Sequence, residues 1–264
     1  KSIDFSGLDY KIVLVDKTPD SWIGDQIDKK YPNLDLVQAG CDKGFAGAYN
    51  LGMRYAAAWG ADYIMIINND TLVGDSQIVK KLINVLDDKE DAWVVSPKIY
   101  FAKGYEFQDR YDKKDLGKVI WYAGGNFDWA NILSHHRGID EVDTGKYIQT
   151  EKTKYVSGCC LMLRRFTLEK FGYFNEDYFA YMEDSEWQTR ILQGGGQLYY
   201  CGNTHIYHKV SQTLKIGSPQ TDYLLTRNRL YFTFSYASLR TKFAVFREMI
   251  RQLISGRPAQ KIGI

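Results

Sequence analysis

Ala61-Asp62-Tyr63-Ile64-Met65-Ile66-Ile67-Asn68-Asn69-Asp70 is the stretch that decides the fold. A short run of apolar, β-favouring residues stopping at three polar side chains predicts a strand buried on both faces. That strand delivers Asn68, Asn69 and Asp70 to the carboxyl edge of a parallel sheet. Open α/β sheets bind ligands at that edge. Asn-Asn-Asp is equally good turn chemistry, so the surrounding chain has to decide between a site and a turn.

Upstream, Lys11 to Asp16 (Lys-Ile-Val-Leu-Val-Asp) repeats the pattern of an apolar strand ending in a carboxylate. Thr18-Pro19-Asp20 makes a turn, and Asp20 or Ser21 caps a helix through about Lys30. Leu34 to Gln38 reads as a second strand. Gly44 to Gly52 is a small-residue turn running into an Ala-rich helix that ends near Gly60. Strand, helix, strand, helix, strand predicts a parallel α/β arrangement.

Downstream, Ile78, Leu82, Val85 and Leu86 lie at helical spacing, and Ala92 to Ser96 reads as a strand closed by Pro97. From residue 98 to about 150 the periodicity breaks down into a hairpin-like excursion around Ile120 to Asp128 and Ile132 to Arg137. Long insertions of this kind are usually binding surfaces. Lys154 to Arg164 is again strand-like, and its Gly158-Cys159-Cys160 centre leaves room for a ligand at the backbone. Glu183 to Leu192 predicts a helix, Gln197 to Cys201 and Thr204 to Tyr207 predict short strands, and the chain is helical from about Thr221.

The 264 residues suffice for one large domain or two closely joined ones. We divide them into a body, 1–220, with a nucleotide-binding half (1–97) and an acceptor and catalytic half (98–220), and a helical tail, 221–264. The net charge of +2 conceals a basic C-terminal end (Arg227, Arg229, Arg240, Lys242, Arg247, Arg251, Arg257, Lys261) suited to something anionic. The four cysteines (Cys41, Cys159, Cys160, Cys201) match neither a disulfide scaffold nor a CxxC metal site and read as reduced thiols. With no signal peptide and no long apolar run, the expectation is a cytoplasmic protein, with the inner face of the membrane as its one membrane option.

Chemistry concentrates at three places: Asn68-Asn69-Asp70, Tyr181-Met182-Glu183-Asp184, and His205-Ile206-Tyr207-His208. Divalent cations that hold diphosphates take hard oxygen ligands, water and sometimes an imidazole. Asp70 with His208 fits that need, and His205 competes with His208. Asp184, at the start of its helix, is favoured in its ionised form by the macrodipole and suits a general base. The plainer alternatives are a helix cap at Asp184 and a surface i,i+4 pair between Glu186 and Arg190.

In order, these stretches resemble the family 2 inverting glycosyltransferases of the GT-A fold, in particular their rhamnosyltransferase-like branch. The matching segments are Val13-Leu14-Val15-Asp16, Gly44 to Gly52, Asn68-Asn69-Asp70, Tyr122-Ala123-Gly124-Gly125, Val156-Ser157-Gly158, Phe179 to Arg190, Tyr207-His208-Lys209 and Thr226-Arg227-Asn228-Arg229. The resemblance implies a GT-A, Rossmann-like, mostly parallel sheet flanked by helices, with a small antiparallel excursion.

It also implies a nucleotide-diphosphate sugar donor held with Mg²⁺ or Mn²⁺ and a glycan or lipid-linked glycan acceptor. Asp16, Gly44, Asn50, Asn68 and Asn69 would then lie on the nucleotide-sugar side. Asp70 and His208 would hold the metal, and Asp184 would be the base. Gly124, Gly125, Glu183 and Trp187 would shape the acceptor side. Three departures stand out. Only Lys1 to Tyr10 precede the segment Lys11 to Asp16, where the family usually has an opening strand and helix, so either the sequence is a fragment or the nucleotide pocket is incomplete. Lys17-Thr18-Pro19 replaces the usual Asn-Gly-Ser turn, and Asp42 stands where Asn is common.

In the tail, Leu239, Phe243, Phe246, Ile250 and Ile254 form a helical stripe flanked by Arg240, Arg247 and Arg251. It either packs on the domain or lies on an anionic bilayer. Nucleic acid is the poorer partner, because the basic cluster is local and no recognised module accompanies it. The reading is a metal-dependent inverting glycosyltransferase, with rhamnose as the candidate sugar. Its rivals are a non-catalytic nucleotide-sugar-binding remnant and a sugar-phosphate nucleotidyltransferase.

Overall fold

The computed structural model describes residues 2–18, 27, 31, 34–210 and 218–264. Strands β1 (Ile12–Asp16) and β2 (Leu34–Gln38) pair in parallel as a small sheet of their own. The helix expected between them lies outside the described residues, apart from Ile27. Helix α1 (Gly44–Trp59) follows and ends at Gly60 in the left-handed conformation, whose N–H caps the Ala56 and Ala57 carbonyls. Gly44 starts it at φ +68°, where a Cβ would sit 2.3 Å from the Phe179 carbonyl oxygen. Only glycine fits there.

The remaining elements of the body are β3 (Tyr63–Ile67), β4 (Thr71–Val73), α2 (Ile78–Asp88), β5 (Ala92–Phe101), β6 (Ile120–Tyr122), β7 (Gly125–Asp128), β8 (Leu133–His136), β9 (Thr150–Thr153), β10 (Cys160–Arg164), α3 (Arg165–Phe171), α4 (Glu183–Gln193) and β11 (Gln197–His208). Seven of these strands form one sheet in the order β3-β10-β5-β11-β4, with β6 added to β5 and β9 to β11. Only β5 and β11 run parallel; the other pairs are antiparallel. The sheet is therefore mixed rather than mostly parallel. Periodicity identifies strands and crossover helices but not neighbours, and β10, returning from the excursion, enters between β3 and β5.

That insertion leaves β3 with β10 as its only partner among the described residues. Ile64 and Ile66 are buried, whereas Tyr63, Met65 and Ile67 are half-buried, so β3 is covered fully on one face only. A groove lined by Ile12 to Val15 and by Tyr63 to Ile67 separates β1 from β3. The sheet is thus interrupted between β1 and β3. Strand β5 runs on through Pro97, which pairs with Cys201 beside a register shift between Cys201 and His205. A bulge tolerates a residue without an N–H, and the two strands predicted after residue 196 are one irregular strand.

Helices cover both faces. Ile78, Leu82 and Leu86 of α2 pack with Val95, Ile99 and Met162. On the other face Ala46 and Met53 of α1 meet Ile64, Ile66, Leu161, Leu163, Trp187 and Ile191. The tail forms α5 (Pro219–Tyr236), α6 (Leu239–Ser255) and α7 (Pro258–Ile262). It joins the body through Phe127, Ile132, Tyr178, Phe232, Ala237 and Val245. Among the described residues no helix is long and apolar enough to cross a membrane. Cys159, Cys160 and Cys201 are buried free thiols, and Cys41 is an exposed one.

Candidate active site

The carboxyl end of β3 opens into a cleft of about 1990 Å³, whose walls include Asn68, Asn69, Asp70, Gly158, Glu183, Asp184 and His208. That volume exceeds a usual small-molecule site because the cleft is continuous with the groove between β1 and β3. The three chemically suggestive spots of the sequence meet here. Antiparallel pairing of β11 with β4 sets His208 opposite Thr71, and His208 Nε2 lies 3.2 Å from Asp70 Oδ1. His205 packs instead between Tyr100 and Tyr207, and its ring and carbonyl lie against Gly74.

Asp70 Oδ1 and His208 Nδ1 are both buried without a hydrogen-bond partner. Such atoms are costly unless a ligand completes them. A carboxylate oxygen beside an imidazole is a donor set that a Mg²⁺- or Mn²⁺-type cation accepts. Among the described residues no group of three or more His, Cys, Asp or Glu gathers as a metal site, so the pair fits a cation that takes its other ligands from diphosphate oxygens and water. Tyr49 donates to Asn68 Oδ1 at 2.8 Å, and the Asn68 N–H donates to the Cys159 carbonyl, which fixes the turn that holds Asp70.

Asp184 occupies the first turn of α4 with Glu183 and Glu186. Its Oδ2 accepts from the Tyr155 hydroxyl at 2.6 Å and from the Gly158 N–H at 3.3 Å; its Oδ1 accepts from the Ser185 N–H at 2.6 Å. Burial raises the Asp184 carboxyl above its usual value, and these donors, Tyr155 first, offset part of that rise. Glu183 has no such set: burial, then the charge of Asp184, holds it well above the usual carboxylate range, and its Oε2 is buried without a partner. In such a pair the hydrogen-bonded member carries the charge. Asp184 is that member.

The loop before α4 is held under strain. Phe179, Tyr181 and Met182 all have positive φ (61°, 70° and 69°), which is costly for residues with side chains. Asn228 of α5, fully buried, holds the loop by donating to the carbonyls of Tyr178, Ala180 and Tyr181, each at 2.8 Å. A further contact runs between the two halves of the site. Trp121 packs edge-on against His208 (4.6 Å) and His136 (4.4 Å), and His136 stacks on Tyr155 at 5.8 Å. Burial pushes His136 down to about 4, so it is neutral near pH 7.

The profile of the family described as Glycosyl transferase family 2 matches residues 3–172. The chain belongs to this family. A hexosyltransferase of low-salt glycan biosynthesis, Agl10 of Haloferax volcanii, is 21% identical over 202 residues, covering 75% of this chain and 60% of the relative. The N-acetylglucosaminyl-diphospho-decaprenol L-rhamnosyltransferase of Mycobacterium tuberculosis is 24% identical over 189 residues, covering 68% of this chain and 60% of the relative. The chain thus spans about 60% of the length of these curated relatives.

Two solved structures share the GT-A fold. GalNAc-T7 with UDP, GalNAc and Mn²⁺ superposes with a TM-score of 0.57 at 14% identity, over 93% of this chain and 52% of that one. The mannosyltransferase PcManGT of Pyrobaculum calidifontis with GDP-Man and Mn²⁺ superposes with a TM-score of 0.52 at 15% identity, over 96% and 63%.

Not every expected site residue reaches the cleft of this family member. Gly44 lines it. Asp16 ends β1 beside the cleft-lining Val15 and Lys17, but its carboxylate accepts from Thr18 and Gln38, whose hydrogen bonds, the Thr18 N–H first, hold it below the usual range. Asn50 is turned away from the cleft: it donates to the Phe174 carbonyl and Glu176 and accepts from the Phe174 N–H, tying α1 to the segment before α4. Trp187, one turn beyond Asp184, is core, its Nε1 on the Gly172 carbonyl and its ring edge-on to Phe174.

Gly124 and Gly125 serve the excursion rather than the cleft wall. A Cβ on Gly124 would press on Arg137, and one on Gly125 on the His135 carbonyl. They let β7 and β8 fold over so that Leu133 to His136 line the cleft. The Glu186–Arg190 pair is not a surface pair either. Glu186 is buried, and Arg190 grips it with two nitrogens at 2.8 and 2.9 Å while also donating to the Tyr173 carbonyl. It anchors α4.

Tyr155 carries no motif of its own, and nothing in its sequence surroundings marks it. Removing its hydroxyl removes the largest influence holding Asp184 ionised. A base works above its pKa, so with Asp184 in the role of base, proposed below, Tyr155→Phe is expected to shift the acid limb of the kcat/KM profile to higher pH while the alkaline limb stays in place. A pH–rate profile of the two proteins checks this, and a uniform drop at all pH values contradicts it.

Proposed function

We propose that this family 2 chain is a metal-dependent inverting glycosyltransferase. It transfers a sugar, with rhamnose as the candidate donor sugar, from a nucleotide diphosphate to a hydroxyl of a glycan or lipid-linked glycan. The observation that carries the reading is the meeting of Asp70 and His208 with Asp184 around one cleft. The decaprenol-linked acceptor in the name of the Mycobacterium relative supports the choice of acceptor.

Asp70 and His208 are the residues that would hold the cation. When bound there, Mg²⁺ or Mn²⁺ supplies Lewis-acid neutralisation of the charge that develops on the departing nucleoside diphosphate. Asp184, ionised and fixed by Tyr155, Gly158 and Ser185, takes the proton of the acceptor hydroxyl as its oxygen forms the new bond at the anomeric carbon and the bond to the diphosphate breaks. Glu183, favoured in its protonated form, adds no second negative charge at that point. The transition state is oxocarbenium-like, as in glycoside hydrolysis. With Asp184 as the base and no second carboxylate given the role of nucleophile, the displacement is single and inverts the anomeric centre.

The test is transfer from a panel of nucleotide sugars with Mn²⁺, repeated with Asp184→Asn. Donor binding without any Asp184-dependent turnover would favour the non-catalytic remnant, the rival that the interrupted sheet beside the cleft keeps in play.

A further inference from the structure

Helix α6 turns its apolar stripe outward. Only Thr241 and Val245 of this helix are buried, while Leu239, Phe243, Phe246, Ile250, Leu253 and Ile254 are between 45% and 77% exposed. Their three- and four-residue spacing puts them on one strip, on the side away from Thr241 and Val245. Single exposed apolar residues are ordinary, but six on one strip of one helix are not. The alternative in which this stripe packs on the domain is therefore excluded.

The borders of the strip are basic: Arg240, Lys242, Arg247 and Arg251. Residues 239–264 contain six basic side chains and one acid, Glu248. Arg229 takes that acid at 2.9 Å. Arg257 pairs with Asp222 at 2.7 Å. Among the described residues none of the four bordering cations has an ion pair. Two copies joined strip to strip would bring these like charges together, which opposes self-association through this face. An apolar strip with cationic borders instead complements the boundary between acyl chains and anionic headgroups.

We propose that α6 is an interfacial helix lying on an anionic bilayer. Phe243, Phe246 and Ile250 enter the headgroup boundary, and the arginines and Lys242 extend to the lipid phosphates. Glu248, on the inner side of α6, holds Arg229 of α5, and Arg229 lines the cleft, so the helix that would lie on the membrane adjoins a helix that lines the cleft. A lipid-borne acceptor would then reach Asp184 without leaving the membrane plane. That last consequence rests on the proposed glycosyl transfer; the membrane contact does not.

Vesicle flotation of the full chain tests it. The chain is expected to float with equimolar phosphatidylcholine and phosphatidylglycerol and to remain below with phosphatidylcholine alone. Combining F243S, F246S and I250S is expected to lower the partition coefficient roughly tenfold or more. Each of R240Q, R247Q and R251Q is expected to lower it roughly fivefold at low salt. All these side chains are solvent-exposed, so unchanged thermal melting controls for folding. A full chain that stays below with anionic vesicles overturns the proposal. So does undiminished flotation of the triple serine variant, or a stable dimer in sedimentation that this variant dissolves. Flotation with no sugar transfer would fault the active-site reading alone; transfer to a soluble acceptor with no flotation would fault the membrane reading alone.

Discussion

Asp184→Asn is expected to lower the transfer rate by roughly 10²–10⁴-fold, the contribution of a positioned general base, with affinity for the donor nucleotide nearly unchanged. Asn keeps the volume of Asp and one acceptor oxygen, enough for the Tyr155 hydroxyl and the Gly158 N–H that share Oδ2 but not also for the Ser185 N–H on Oδ1. What it cannot do is accept a proton at neutral pH. The comparison is kcat at saturating donor and Mn²⁺ against donor binding by calorimetry. Parallel losses in both would place Asp184 in ground-state binding instead.

Asp70→Ala is expected to remove Mn²⁺-dependent activity by roughly 100-fold or more and, independently, to abolish the Mn²⁺ contribution to nucleotide-diphosphate binding. The reason is the buried Asp70 Oδ1, which has no hydrogen-bond partner and lies 3.2 Å from His208 Nε2 at the cleft. His208→Ala is expected to act in the same direction but less strongly, since a neutral imidazole contributes no charge. Titration of the apoprotein with Mn²⁺ and a nucleoside diphosphate reads both variants without relying on turnover. Normal Mn²⁺-dependent nucleotide binding in Asp70→Ala would move the cation elsewhere.

The polar ends of strands were legible in the sequence because an apolar run that stops abruptly has few explanations. Thus Asp70 and His208 emerged as candidates, Asp184 followed from its place at the start of a helix, and all three line one cleft. The helices were legible for a similar reason: Gly44 and Gly60 bound α1, at positions where backbone geometry admits little else. Strand order was not legible. Nothing local in Cys160–Arg164 says that it runs antiparallel between β3 and β5, so a mixed sheet passed for a parallel one.

Side-chain direction was the other loss. Asn50 and Trp187 lie near cleft residues in sequence but face the interior, and helical rotation decides that only once the packing partners are known. The supports of the site were the least visible. Tyr155 and Asn228 act through single hydrogen-bonding atoms on distant segments, and such contacts have no spacing signature. The outward turn of the α6 stripe was likewise undetermined, because a stripe of apolar residues has the same period whether it faces a core or a membrane.

The central claim is direct displacement at the anomeric carbon by an acceptor oxygen that Asp184 deprotonates, and the anomeric configuration of the product tests it most directly. With Mn²⁺, a nucleotide sugar that supports transfer and a hydroxyl acceptor, proton NMR of the product is expected to show the configuration opposite to that of the donor. A product with the donor's configuration would contradict the account.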